Sequence, residues 1–571
     1  MSRPERDGAY YDAIKRRFAE ERDLRLAYRP QGTQQFTSEL DGQLARYARD
    51  PYGGEVAPRA PIRDTVEVLF IGGGFSALLT SARLREKGVE SIRIVERGAD
   101  VGGTWYWNRY PGVACDVVSY DYLPLLDEMG YVPTRHYAGG AEILDHCRAI
   151  ARRYDLYRLA VFQTTVTSTT WLEGERLWEL RTDRGDVMRA RFVVCANGTL
   201  SKPKLSKIAG METFRGHSFH TSRWDYDYTG EKLEKLRDKV VGIIGTGATA
   251  VQAVPELAAN AKQLFVFQRT PSSIDVREDW ATDPKWAASL ERGWQAKRRA
   301  KALEEPMLTI GRGPAPANET REQRVARQER ANIDYMMRIH RRIEELVEDP
   351  ATAEALKPWY MFMCKRPCFH NDYLPAFNRP NVKLVDTRGQ GITEIDERGP
   401  VFSGTSYALD LLIYATGFEV QKTGIWNQIA GRGGLELETK YADGIRTLLG
   451  IHTRGFPNLF IMGGYQASFQ FNLTDMLQTQ GDHIAACIDY VRKHGYVTLD
   501  PTEQAEEWWV QQVIANRGKT NRNHDCTPGY YNFEGESNRR QDGNYNGGFR
   551  RYWLHQGEVR GRMAESFELG R

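Results

Sequence analysis

The sequence predicts the α/β class: two Rossmann-like, three-layer dinucleotide-binding domains with a helical insertion. Three observations predict it. The apolar run Val66-Glu67-Val68-Leu69-Phe70-Ile71 enters the turn Gly72-Gly73-Gly74-Phe75-Ser76-Ala77, and a helix-forming stretch follows. The run Val240-Val241-Gly242-Ile243-Ile244 enters Gly245-Thr246-Gly247-Ala248-Thr249-Ala250 in the same way. Each turn is followed, 24 residues after its first glycine, by a charged residue, and the two differ in sign: Glu96 and Arg269. Strand, G-x-G-x-x-A turn and helix are the three parts of a phosphate cradle.

Composition sets the outer bounds. A chain of 571 residues exceeds a single hydrophobic core, so two or three domains are expected. A hydrophobic share of 41% and a charged share of 27% describe a soluble globular protein. A net charge of +3 gives no reason to expect nucleic acid as a partner. No apolar run reaches membrane-spanning length, and Met1-Ser2-Arg3-Pro4-Glu5-Arg6-Asp7 carries no apolar signal core. Seven scattered cysteines, an odd number, suggest free thiols in a reducing compartment and hence a cytoplasmic protein. Monomer and homodimer are equally compatible with the sequence.

Residues 1–61 form an N-terminal extension. Positions 7–28 read as a charged helix with Tyr11, Ile14 and Phe18 along one side, and 38–48 as a second, shorter helix. The extension is expected to wrap the first domain as a packing collar. That domain opens at 62 and runs to 205. Gly72 permits the tight turn, Gly74 lets a pyrophosphate approach the backbone, and Ala77 is small enough for helix–strand packing. The helix N-terminus supplies N–H groups for the phosphates. The strand Ile92-Arg93-Ile94-Val95 ends at Glu96, whose carboxylate can accept both hydroxyls of a ribose, so the first nucleotide has a free 2′-hydroxyl. An aromatic, glycine-rich segment follows, from Gly102-Gly103-Thr104-Trp105 to Asp116. The apolar strand Phe192-Val193-Val194-Cys195 then leads to a boundary at Lys202-Pro203.

The second domain, 206–408, begins with a connector from Phe214 to Asp225 that must pass close to both nucleotides. Gly216 allows close backbone approach. His220 and Trp224 are four apart and share a face if this stretch turns helically. Gly245, Gly247, Thr249 and Ala250 form the second cradle. The strand Leu264-Phe265-Val266-Phe267 ends at Gln268-Arg269-Thr270, and a guanidinium there suits a 2′-phosphate that a carboxylate would repel. Positions 280–350 are rich in charge and helix formers, broken at Gly311-Arg312-Gly313-Pro314-Ala315-Pro316, and read as an inserted helical subdomain. Cys364, Cys368 and His370 lack the spacing of a zinc finger and a fourth ligand, so no metal is expected. Leu409 to Phe418 reads as a buried strand ending in A-T-G; its resemblance to the re-entry strand of a known flavoprotein family, named below, implies that the second part of the first domain is 409–571. Phe456 to Gly464 reads as a further strand and tight loop.

Several of these stretches resemble type I Baeyer–Villiger monooxygenases. Phe214, Gly216, His220, Trp224 and Asp225 fit F-x-G-x-x-x-H-x-x-x-W-[PD]. Gly102, Gly103, Trp105, Tyr110, Pro111, Gly112 and Asp116 fit the longer [AG]-G-x-W-x-x-x-x-[FY]-P-[GM]-x-x-x-D. The resemblance implies FAD at the first turn, with Gly103, Thr104 and Trp105 along it and Asp116 near the isoalloxazine. It implies NADPH at the second turn, with Arg269, Thr270 and Lys365 around its 2′-phosphate and Arg366 over the flavin. The implied reaction is NADPH- and O2-dependent conversion of a ketone to an ester or lactone through a C4a-peroxyflavin, stabilised by Arg366 while Asp116 holds the guanidinium.

Three rivals are weighed against this. A flavin-containing N- or S-oxygenase usually has Tyr or Phe where Trp224 stands. A disulfide reductase needs a cysteine pair beside the first flavin helix, and Cys115 has no close partner in sequence. A redox-sensing NADPH/FAD binder needs neither Arg366 nor Asp116. Where some family members carry a tryptophan near the C-terminus, this chain has Gly529-Tyr530-Tyr531. With Gly463, Gly464 and the extension, that points to a roomy site for a bulky cyclic ketone. The alternative is that Tyr530 or Tyr531 fills the gap and small ketones are preferred.

Overall fold

The computed structural model describes residues 7–28, 36–37, 40–304, 318–420, 428–468, 472–516, 526–527, 529 and 541–571. Val68, Leu69 and Phe70 are completely buried, which requires a strand covered on both faces. Their strand, Arg63–Ile71, lies between Val187–Cys195 and Ile92–Val95, parallel to both. Alternate side chains serve different layers. Val68 and Phe70 join a core with the helices Phe75–Glu86 and Leu473–Lys493, while Leu69 and Ile71 meet Trp171 and Trp178 of an antiparallel meander. Leu459–Ile461 returns to this sheet and pairs in parallel with Val187–Cys195.

A second sheet is parallel throughout and ordered His217–His220, Leu411–Tyr414, Val240–Ile244, Gln263–Gln268, Val382–Asp386. Leu411–Tyr414 therefore does not re-enter the first domain at 409, as the sequence suggests. Leu411, Leu412, Ile413 and Tyr414 are all completely buried. Such a strand needs hydrogen-bonding neighbours on both sides and apolar cover on both faces, and the second sheet supplies them.

The insertion contains the helices Pro284–Ala288, Trp294–Glu304 and Arg321–Leu346. The helix breaker at 311–316 lies outside the described residues. The N-terminal helix, Gly8–Ala27, packs on this insertion and not on the first sheet. Tyr11 donates to Asp334 Oδ2 at 3.2 Å, and Phe18 meets Trp359 edge-on at 6.4 Å. A collar around the first domain is thus corrected for this helix: its buried face, Tyr11 and Phe18, matches Ile333, Met336 and Met337 of the long helix. The second expected helix is a 3-10 turn, Gly42–Tyr47, and Ser38 lies outside the described residues.

Cys364 and Cys526 form a disulfide across 162 residues of sequence. This corrects the expectation of free thiols throughout and removes the cysteine argument for a reducing compartment. The two half-cystines meet in an apolar cluster with Tyr11, Phe18, Met336 and Phe362, which spacing alone does not reveal. Cys115, Cys147, Cys195, Cys368 and Cys487 are free and buried. No described helix is long and apolar enough to cross a membrane.

Candidate active site

The two glycine turns are built alike. Gly72 (φ +108°) donates to Val95 O at 2.8 Å, and a Cβ on it would lie 2.7 Å from Ala196 O. Gly245 (φ +116°) donates to Phe267 O at 3.1 Å, and its Cβ would lie 2.5 Å from Ala415 O. Both positions combine a left-handed backbone with no room for a side chain, so glycine is required. Ala77 and Ala250 are completely buried behind the turns. The helices Phe75–Glu86 and Ala248–Asn260 start at the N-caps Gly74 and Gly247, neither with a side-chain cap, which leaves their first N–H groups for phosphate. A Cβ on Gly247 would meet nothing within 4 Å, so this cradle faces open space. The residues present fit a dinucleotide at each turn.

The far ends of the cradles differ in charge as the sequence indicates. Glu96 is buried and accepts from the N–H groups of Gly73 and Gly98, each at 2.6 Å. Burial pushes its carboxyl up, against the pull of those two donors. Arg269 and Thr270 close the second cradle, and Thr246 of the turn donates to Thr270 O at 2.7 Å.

Between the cradles, Arg366 Nη2 donates to Asp116 Oδ2 at 2.9 Å. Asp116 is 6% exposed and Arg366 45%, so the carboxylate is fixed while the guanidinium faces outward. Two residues without a sequence signal complete the grip on Asp116. Gln252, on the second-cradle helix, donates to Oδ1 at 3.1 Å, and Arg277 Nη1 lies 3.5 Å from the same oxygen. Gln252 also accepts from Tyr110 at 2.9 Å, and a Cβ on Gly112 (φ +76°) would lie 2.5 Å from Gln252 O. The segment from Tyr110 to Asp116 is therefore seated on the helix of the other domain. Arg277 lies just after Ile274–Asp275 and Arg366 just before Cys368–Phe369, which pair in parallel, so the two arginines reach Asp116 from opposite ends of the strand pair. Lys365 is half-buried beside Arg366. Trp105 is buried and donates to Tyr122 at 3.1 Å from the short helix Thr104–Trp107. Its N-cap, Gly103 (φ +53°), would place a Cβ 2.8 Å from Gly74 Cα.

The connector is an edge strand followed by a single 3-10 turn, which lies between His220 and Trp224. His220 ends the strand His217–His220, and the 3-10 turn Thr221–Arg223 follows. Its Nε2 donates to Gly417 O at 3.1 Å and its Nδ1 accepts from Ser222 N at 3.2 Å. Phe214 is buried, and a Cβ on Gly216 would lie 2.4 Å from its ring. Trp224 is fully buried and donates to Thr229 Oγ1 at 3.1 Å, while its N–H reaches Tyr52 of the extension at 3.1 Å. Asp225 caps Tyr226–Thr229 and pairs with His217 at 2.9 Å. These five residues pack within the second domain and, through Trp224, against the extension.

Cys364 is in a disulfide and is not a metal ligand. Among the described residues one buried trio, His452, His483 and Cys487, has metal-ligand atoms close together. His483 Nδ1 lies 3.3 Å from Arg560 Nη1, and its Nε2 lies 3.0 Å from His452 Nε2 and 3.4 Å from Cys487 Sγ. The three side chains are within hydrogen-bond distance of one another through His483.

The pyridine nucleotide–disulphide oxidoreductase family model matches residues 69–304. Pentalenolactone D synthase of Streptomyces exfoliatus is 45% identical, over 92% of this chain and 94% of its own. A Baeyer–Villiger monooxygenase of Streptomyces coelicolor is 44% identical, over 91% of each chain. The structure of the polycyclic ketone monooxygenase from the thermophilic fungus Thermothelomyces thermophila superposes with a TM-score of 0.89 at 34% identity, covering 98% of this chain and 99% of its own. Oxidized steroid monooxygenase bound to NADP gives 0.77 at 32% identity, over 89% and 99%. The OTEMO complex with FAD and NADP gives 0.78 at 28% identity, over 90% and 100%.

Proposed function

This chain belongs to the Baeyer–Villiger monooxygenases, flavoproteins that use NADPH to turn ketones into esters or lactones, and we propose that it oxidises bulky cyclic ketones with O2 through the pair Arg366 and Asp116. The observation that carries the residue assignment is the Arg366–Asp116 hydrogen bond, made where the two dinucleotide domains meet. Bound FAD, reduced by NADPH, supplies the activated oxygen. The turn at Gly72 and Gly74 with Glu96, Gly103, Thr104 and Trp105 would hold FAD. The turn at Gly245, Gly247 and Thr249 with Arg269, Thr270 and Lys365 would hold NADPH.

The chain's own groups then have distinct tasks. A guanidinium has five donors in a rigid fork, enough to hold Asp116 and to meet the oxyanion that forms when the ketone carbonyl is attacked. Gln252 and Arg277 fix Asp116, which in turn holds one nitrogen of the Arg366 guanidinium. Trp105, Tyr106, Trp107 and Tyr110, on the segment that leads to Asp116, are all buried. An N- or S-oxygenase or an NADPH sensor would have no task for this arginine–carboxylate pair. NADPH is regenerated inside cells, which favours the cytoplasm as the compartment, although the Cys364–Cys526 bond counts the other way.

Two features support bulky substrates. Likeness to the polycyclic ketone enzyme covers 98% of the chain, against 89% for the steroid enzyme, and so takes in nearly all of the extension. A Cβ on Gly463 would meet nothing within 4 Å, which leaves room beside Leu459–Ile461. Tyr530 and Tyr531 lie outside the described residues. One experiment tests both parts: lactone yield by mass spectrometry across cyclic ketones of rising ring size, with wild type, Arg366→Ala and Arg366→Lys. Wild-type kcat/KM should rise toward large or fused rings, since each further buried methylene contributes about 0.8 kcal/mol. Arg366→Ala should retain FAD and form no lactone, with poor rescue by lysine. A wild-type maximum at six carbons would overturn the substrate class, and near-normal lactone from Arg366→Ala would overturn the residue assignment.

A further inference from the structure

We infer that Arg25, on the N-terminal helix, is a positioning residue for the 2′-phosphate of the nicotinamide nucleotide and sets the preference for NADPH over NADH; this rests on Arg269 being the partner of that phosphate. Arg25 Nη1 donates to the carbonyl of Arg269 and, at 3.3 Å, to Thr270 Oγ1. The side chain is 13% exposed. It is gripped from the other side by a loop whose glycines leave it space. A Cβ on Gly389 (φ +95°) would lie 2.9 Å from Arg25 Cγ, and one on Gly391 (φ +79°) 3.6 Å from Arg269 Cδ. The same loop thus packs on both arginines. Thr270, held by Arg25, accepts through its carbonyl from Thr246 of the cradle turn at 2.7 Å. Ser272 Oγ returns a hydrogen bond to Thr246 O. An unbroken set of polar contacts therefore runs from the N-terminal helix through Arg269 and Thr270 to the turn that meets the pyrophosphate.

Glu21 takes Arg25 at 3.3 Å and Arg17 at 2.7 Å, which fixes the Arg25 side chain from its own helix. The Arg25 guanidinium is the cation of this helix that reaches the backbone of the second cradle. By holding the backbone at Arg269, Arg25 also spares the cradle the ordering cost of that segment when the nucleotide binds. NADH lacks the phosphate that Arg269 would meet, so the part of this ordering that falls on Arg269 favours NADPH alone.

The test is titration calorimetry of NADP+ and NAD+ binding to the FAD-loaded protein, with wild type, Arg25→Met, Arg25→Lys, Arg17→Met and Arg269→Ala. Methionine retains the hydrocarbon that packs on Gly389 and removes the donors and the charge. Arg25→Met should weaken NADP+ about tenfold and leave NAD+ unchanged, as expected for the loss of a charged hydrogen-bond donor. Arg25→Lys should keep part of the NADP+ preference, and Arg17→Met should bind both nucleotides as wild type does. Equal weakening of both nucleotides, or of neither, by Arg25→Met would overturn the inference even if Arg269→Ala remains selective. A non-selective Arg269→Ala would remove the phosphate reading on which it rests.

Discussion

His220 shows how far one residue's role departs from its prominence in the sequence. Burial, with the neighbouring Arg223, pushes its pKa down to about 3. The ring is neutral, donating to Gly417 and accepting from Ser222. A histidine whose folded pKa lies below its unfolded value contributes stability that is complete above about pH 6.5 and is lost as pH falls toward the folded value. His220→Gln should therefore be less stable than wild type at pH 7.5. Below about pH 6.5 the gap should close by about 1.4 kcal/mol per unit. Melting temperatures from pH 7.5 to 5 check this, and a constant gap would count against it. The motif made His220 visible in the sequence, and the spacing of four pointed to the turn before Trp224, but neither reported that His220 ends an edge strand. Gln252 and Arg277 were not visible at all. Each belongs to no motif and acquires its task when tertiary pairing brings it to Asp116.

At the scale of elements, the paired glycine turns were the most legible part of the chain, because their chemistry is local. Strand, tight turn and helix follow one another within a dozen residues, and the closing charge lies at a fixed distance. Leu411–Tyr414 was legible as a buried strand but not in its sheet, since neighbours in a parallel sheet come from remote sequence. The two glycines of one turn should separate folding from binding. Gly245→Ala forces a Cβ against Ala415 O with φ at +116° and should cost about 2 kcal/mol or more of stability. Gly247→Ala meets nothing and should melt as wild type does, yet bind NADP+ more weakly because its methyl group enters the cradle. Scanning calorimetry with nucleotide titration distinguishes them. A Gly247→Ala protein with unchanged NADP+ affinity would place the nucleotide elsewhere.

For the whole molecule, the Cys364–Cys526 bond joins the stretch before Lys365 to the C-terminal part of the chain, a pairing that an odd number of scattered cysteines concealed. Closing a loop of 162 residues restricts the unfolded chain and, on the chain-entropy account, contributes up to about 5 kcal/mol. The oxidised protein should melt higher than the dithiothreitol-reduced one, and Cys526→Ser should melt at the reduced value with or without dithiothreitol. Identical melting in both states would show that the bond does not constrain the unfolded ensemble. The cross-link also makes this region a ring. A protease that cuts once between residues 364 and 526 would open the ring without releasing a piece, so the nicked protein should migrate as two fragments on a reducing gel and as a single species on a non-reducing one.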